Sequence, residues 1–168
     1  NEFDNFIICA GNNDVSTLDN ITIDRLISLY KINLFPSFQI LKHISKSKNI
    51  KNKSIVLFGS IWSSFGIPGR SMYGSSKAAL VALAKHASSE LSSKSIYVNC
   101  ISPGFTNTEL SSRTANDPII RKALDRSSTK TFQEVDAVAN GILMLLQPYN
   151  KGITGQEIFI DSGFSSHA

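Results

Sequence analysis

Residues 54–91, SIVLFGSIWSSFGIPGRSMYGSSKAALVALAKHASSEL, change from one hydrophobic period to another, and few folds accommodate that change. Ser54 to Phe58 is an apolar, β-branched run closed by Gly59, which suits a strand buried on both faces of a parallel sheet. A polar, glycine-bearing loop follows. From about Met72 the apolar residues take helical spacing, with Leu80, Leu83, Ala84, Ala87 and Leu91 on one stripe. The order strand, loop, helix predicts an α/β chain.

Tyr73 and Lys77 are four apart on that helix, so their side chains share a face one turn from each other. A phenol beside an ammonium is suited to proton transfer, because the positive charge favours the phenolate and lowers a tyrosine pKa that is otherwise about 10. The pair alone is equally what an ordinary amphipathic helix offers. Ser60 adds to it: the residue stands where the strand ends, so its hydroxyl is predicted to face a ligand at the carboxyl edge of the sheet.

Ser60, Tyr73 and Lys77 on a strand–loop–helix resemble the active site of the short-chain dehydrogenase/reductase family. Asn33 lies 27 residues before Ser60, where that family has its fourth catalytic residue. VNCISPGFTNT (Val98 to Thr108) resembles the family's strand ending in Pro-Gly and a threonine, and ITGQEIFIDSG (Ile153 to Gly163) resembles its last strand. The resemblance implies a Rossmann-like doubly wound parallel sheet, with residues 1–168 forming a single but incomplete domain that holds only the later strands and helices. It also implies an NAD(P)-dependent oxidoreductase that interconverts a carbonyl and an alcohol by hydride transfer, with Asn33, Ser60, Tyr73 and Lys77 as its catalytic residues.

Further assignments follow from the same resemblance. NFIICA (residues 5–10) reads as a short strand broken by Gly11, where the family has Asn-Asn-Ala-Gly along the cofactor. This chain has Ile8, Cys9, Ala10 and Gly11 there; the small Ala10-Gly11 pair is retained, and both asparagines are absent. Cofactor contacts are expected from Ala10, Gly11, Tyr73, Lys77, Pro103, Gly104, Thr106 and Thr108, and substrate contacts from Ser60, Trp62 and Tyr73. The cofactor would be NAD or NADP, the substrate a small carbonyl or alcohol, and the assembly a homodimer or homotetramer.

Between about Thr22 and Ser47 the residues Leu26, Leu29, Tyr30, Ser37, Ile40, Leu41 and Ile44 form one helical stripe that also contains Asn33. Pro36 removes the N–H that the Ile32 carbonyl would meet, which predicts a kink beside Asn33. The resemblance suggests a water there in a proton relay. Ile96 to Ile101 reads as a strand, and Glu109 to about Lys130 as a polar, interrupted stretch that the family uses as a mobile substrate lid. Phe132 to Gln147 reads as a helix carrying Val135, Val138, Ile142, Leu143 and Leu146, and Glu157 to Ile160 as the last strand.

Composition excludes several alternatives. The net charge of +4 comes from scattered basic residues, whose densest cluster, Lys42 to Lys53, reads as a helix end with its loop, so no nucleic-acid partner is expected. There is no apolar run of membrane-spanning length, and no signal peptide opens the sequence, so a cytoplasmic protein without membrane contact is expected. Cys9 and Cys100 lie in strand-like apolar context without metal-ligand spacing, which predicts buried free thiols and no metal. His43, His86 and His167 have no partner acid or cysteine in the pattern.

No glycine-rich turn after a strand occurs in the sequence, although the family cradles the dinucleotide pyrophosphate with one. The chain is therefore expected to be part of a longer enzyme, and the strand at residues 6–10 is expected to have an edge that needs covering. The alternative is a non-catalytic dimerisation or scaffold module built from the same fold.

Overall fold

The computed structural model describes residues 5–167, the His167 side chain excepted. Among these, β1 (Asn5–Ile8), β2 (Ser54–Phe58), β3 (Tyr97–Pro103) and β4 (Glu157–Ile160) form one parallel sheet in that spatial order. Its register pairs Ile7 with Val56, Val56 with Asn99, and Ile101 with Ile158. The crossovers are helical: α1 (Ile23–Asn33) and α2 (Phe35–Lys46) link β1 to β2, and α3 (Ser71–Glu90) links β2 to β3. Three helices lie between β3 and β4: α4 (Glu109–Ser112), α5 (Pro118–Leu124) and α6 (Val135–Leu146).

Alternation along each strand divides the core into two layers. Ile55, Leu57, Val98 and Cys100 pack with Leu41, Ile44, Leu80, Ala84 and Ala87 of α2 and α3. Val56 and Ile101 point the other way, against Val138, Ile142 and Leu145 of α6. Helices thus cover both faces, as a continuous apolar strand requires. The polar member of β3, Asn99, is satisfied by backbone: its Nδ2 donates to the Ile153 carbonyl at 2.8 Å, and its Oδ1 accepts from the Gln156 N–H at 3.1 Å.

Four elements differ from the sequence reading. The kinked helix expected over 22–47 is two helices, separated at Leu34 with φ −110° and ψ −48°. Pro36 explains the break: its ring and missing N–H disrupt a helix interior, whereas the first turn of a new helix leaves that N–H unused. β1 ends at Ile8 instead of residue 10, and β3 runs on to Pro103. Cys9, just past the strand, is exposed where a buried thiol was expected, while Cys100 is buried as expected. The polar stretch at 109–130 contains α5, whose Ile120, Ala123 and Leu124 are buried against Ile61, Phe105 and Phe164, so half of it is anchored.

The lysine-rich stretch is a helix end, as its pattern suggested. Lys94 Nζ donates to the carbonyls of Ile44, Ser45 and Ser47 at 3.1, 2.5 and 2.6 Å, satisfying the terminal acceptors of α2 with a cation. Among the described residues β1 pairs with β2 alone, and Ile7 on it is 49% exposed. No helix of the described residues is long and apolar enough to cross a membrane, and no group of His, Cys, Asp or Glu among them has metal-binding geometry.

Candidate active site

A cavity of about 360 Å³ opens at the carboxyl ends of the strands, where open α/β sheets bind ligands. Three of the four strand ends supply walls: Cys9 and Gly11 beyond β1, Gly59 to Trp62 beyond β2, and Pro103 to Thr106 at the end of β3. The start of α3 contributes Tyr73 and Lys77. The fourth wall is apolar, formed by Leu110, Ile120, Phe132, Val135 and Val138.

Ser60 is held by local geometry. Its backbone is extended, it caps the short 3-10 turn Ile61–Ser63, and its Oγ accepts from the Trp62 N–H at 3.2 Å. Ser60 lines the same cavity as Tyr73, and its hydroxyl favours the phenolate. Trp62 stands edge-on to Phe105 and to Phe164, each with ring centroids 5.8 Å apart, so the indole forms a rigid cavity wall as well as a packing element.

Tyr73 is half-buried and lines the cavity. Burial pushes the phenol above its ordinary pKa, and the Ser60 hydroxyl and the Arg70 charge oppose that shift. The sequence reading gave that second role to Lys77. In the structure Lys77 Nζ lies 5.8 Å from the Tyr73 ring centroid and donates to the Phe58 carbonyl at 2.8 Å, whereas Arg70 supplies the charge acting on the phenol. Lys77 itself is buried, which lowers its pKa to about 8.

Asn33 does not line the cavity. Its Oδ1 accepts from the Asn12 N–H at 2.7 Å, and its Nδ2 donates to the Asn12 carbonyl at 3.0 Å and to Ser76 Oγ at 2.9 Å. The side chain thus ties the β1 loop to α3, and the helix break at Leu34 is one residue away. Gly11 on that loop comes so close to the lysine that a Cβ there would lie 3.1 Å from Nζ. Ala10 is exposed and is not part of the cavity wall.

At the β3 end, Gly104 passes β4 so closely that a Cβ would meet Asp161 Cα at 2.7 Å. Thr106 and Thr108 line the cavity, and both hydroxyls have local duties: Thr106 Oγ1 donates to the Gly104 carbonyl at 3.2 Å, and Thr108 Oγ1 caps α4 through the Ser111 N–H at 3.2 Å. Gly11, Tyr73, Lys77, Pro103, Gly104, Thr106 and Thr108 therefore share one wall system with a buried lysine aimed into it, a set that fits the nicotinamide end of a dinucleotide.

The sequence reading missed Arg70, Asn13 and Cys9 as cavity residues. Arg70 had a signal available: it is the lone charge between Ser60 and Tyr73 in an otherwise uncharged loop. Cys9 had one too, standing where the family pattern has an asparagine.

Comparison with known proteins agrees with this fold. Residues 1–165 match the family described as enoyl-(acyl carrier protein) reductase. Carbonyl reductase [NADPH] 2 of Sus scrofa is 32% identical over 138 residues, covering 80% of this chain and 57% of that protein. Carbonyl reductase family member 4 of Xenopus laevis is 34% identical over 147 residues, covering 86% and 59%. The chain thus spans under three fifths of the length of either relative. The solved structure of 4-hydroxyisoleucine dehydrogenase complexed with NADH superimposes with a TM-score of 0.90 at 26% identity, over 98% of this chain and 69% of that one. With the sheet, the strand-end cavity and these relatives in agreement, the chain belongs to the short-chain dehydrogenase/reductase family.

Proposed function

We propose that this chain carries the catalytic part of an NAD(P)-dependent oxidoreductase that interconverts a carbonyl and an alcohol. The observation that carries the reading is the convergence of Ser60, Tyr73 and Lys77 on one cavity at the carboxyl ends of the strands. A nicotinamide cofactor, when bound, supplies or accepts the hydride.

The chain's own residues handle the proton and the charge. In reduction the Tyr73 phenol donates its proton to the substrate oxygen; in oxidation the phenolate takes it back. Ser60 donates a hydrogen bond to the same oxygen as negative charge develops on it. Arg70 holds positive charge beside the phenol, offsetting the burial that makes a phenolate costly there, and Lys77, 5.8 Å from the Tyr73 ring centroid, would hold the nicotinamide ribose. Asn33 acts through position: by fixing Asn12 it sets the loop that brings Gly11 against Lys77. General acid–base catalysis of this kind contributes about 10²–10⁴-fold.

The same reading extends to assembly and location. Ile23, Ile27 and Ile32 on α1 and Phe35 and Phe38 on α2 are exposed, which supports a homodimer or homotetramer packed through these helices. Two unpaired cysteines suit a reducing compartment such as the cytoplasm. The test is direct: the purified protein is mixed with NADPH or NADH and a panel of small ketones, and nicotinamide absorbance is followed. Cofactor oxidation that depends on the ketone is the expected result; no binding of either nucleotide by nicotinamide fluorescence would overturn the reading.

A further inference from the structure

The cavity contains two cations and no carboxylate: Arg70 and Lys77 are in its wall, and no Asp or Glu is. In the reading above Arg70 serves only as a charge beside the phenol, which leaves its hydrogen-bond donors without an assigned partner on the substrate. Its side chain is covered, at 5% exposure, yet it forms no ion pair within 4.0 Å among the described residues. Nη1 donates to Asn13 Oδ1 at 2.9 Å. Guanidinium has five N–H donors, and a desolvated cation of this kind is stable only when anions or acceptors meet it.

Arg70 lines the cavity, and its remaining donors are not sealed in protein. Every fully buried side-chain nitrogen or oxygen of the described residues has a partner, so the unbonded Arg70 N–H groups are those that reach open space. Arg70 also borders a second groove beside Phe65 and Ser75, but its bond to Asn13, which lines only the first cavity, draws the guanidinium to that side. Arg70 is the N-cap residue of α3 and Tyr73 lies in the first turn of that helix, so the guanidinium charge bears on the phenol. A carboxylate nearby, Asp117 at the cap of α5, acts on Arg70 without pairing with it.

Taking Tyr73 as the group that protonates the substrate oxygen, we propose that Arg70 selects an anionic substrate: a ketone, or its alcohol, with a carboxylate one or two carbons from the reacting carbon. The planar fork of Arg70 suits a carboxylate bidentately. Arg70 at the N-cap of α3 and Tyr73 in its first turn line the same cavity, which limits how far from the carbonyl that group can lie. The rigid edges of Trp62 and Phe105 limit what else the molecule carries.

The test compares 2-oxobutanoate and 3-oxobutanoate, each against its methyl ester, with the wild-type protein and with Arg70→Met and Arg70→Lys. Charge-assisted hydrogen bonds to a desolvated carboxylate lead us to expect a preference for acid over ester of about 10- to 100-fold in kcat/KM. That ratio collapses in Arg70→Met and is partly restored in Arg70→Lys. An unchanged ratio in Arg70→Met, or a wild-type preference for the esters, overturns the proposal and leaves Arg70 as a brace for the Asn13 loop. Malonate, which cannot be reduced, separates this proposal from the carbonyl-reductase reading. It is expected to raise the melting temperature of wild type but not of Arg70→Met, whether or not any ketone is turned over; no shift in wild type overturns the anion site.

Discussion

The Asn33 side chain holds Asn12 by both backbone groups, accepting its N–H at 2.7 Å and donating to its carbonyl at 3.0 Å. An asparagine that is 1% exposed and fully used in this way is a structural joint between β1 and α3 before it is anything else. Asn33→Ala strands the Asn12 N–H and carbonyl, while the Ser76 hydroxyl keeps its bond to the Tyr73 carbonyl, and is expected to cost about 1–3 kcal/mol of stability in urea unfolding. Cofactor affinity should fall with it, because Gly11 is no longer fixed against Lys77. Unchanged stability would show that the loop finds other partners.

Gly74 and Trp62 provide a test in which propensity and packing oppose each other. Gly74 lies inside α3, where alanine is usually favoured by about 1 kcal/mol. A Cβ there would meet the Trp62 carbonyl oxygen at 2.6 Å, a backbone atom that cannot swing aside. Gly74→Ala is therefore expected to destabilise by about 1–3 kcal/mol, the usual cost of overpacking. The chain has one tryptophan, so displacement of the cavity wall should also shift its fluorescence. A stabilised variant with unchanged emission would contradict the packing argument.

Lys77 makes stability depend on pH in the alkaline range. Its pKa is about 8 in the folded, cofactor-free chain and near 10.5 when unfolded, so between those values the unfolded state binds more protons. Stability contributed at this site accordingly rises with pH from about 8 toward 10.5, and below 8 the buried charge costs its full amount, on the order of 3 kcal/mol. Lys77→Met is expected to be more stable than wild type at pH 7, with the difference shrinking as pH approaches 10. Equal stability at pH 7 would mean that the Phe58 carbonyl and cavity water solvate the ammonium fully.

Much of this was legible in the sequence, for identifiable reasons. β2 and β4 match the expected spans: β2 because its buried centre, Ile55 to Leu57, is wholly apolar, and β4 because Ile158 to Ile160 form a short apolar run after Glu157. The division of the 22–47 segment into two helices was only half legible. Pro36 marked a disturbance, but whether a helix bends or restarts depends on tertiary contacts such as Asn33 to Ser76, which no local pattern encodes. The same limit hid the Tyr73 environment. Spacing along α3 puts Lys77 one turn away, while the charge that reaches the phenol comes from Arg70, whose placement depends on the fold of the 59–70 loop and on Asn13 from another strand end. Cys9 was misjudged because the apolar run NFIICA continues past the point where β1 leaves its ladder.

The measurement closest to the central claim is single-turnover ketone reduction by wild type and by Tyr73→Phe at saturating NADPH or NADH, with folding checked by circular dichroism. The account expects hydride transfer to slow by about 10²–10⁴-fold in a variant that folds and binds nucleotide normally. Near-normal turnover in Tyr73→Phe would contradict it, since the proton would then come from a group other than the phenol beside Ser60.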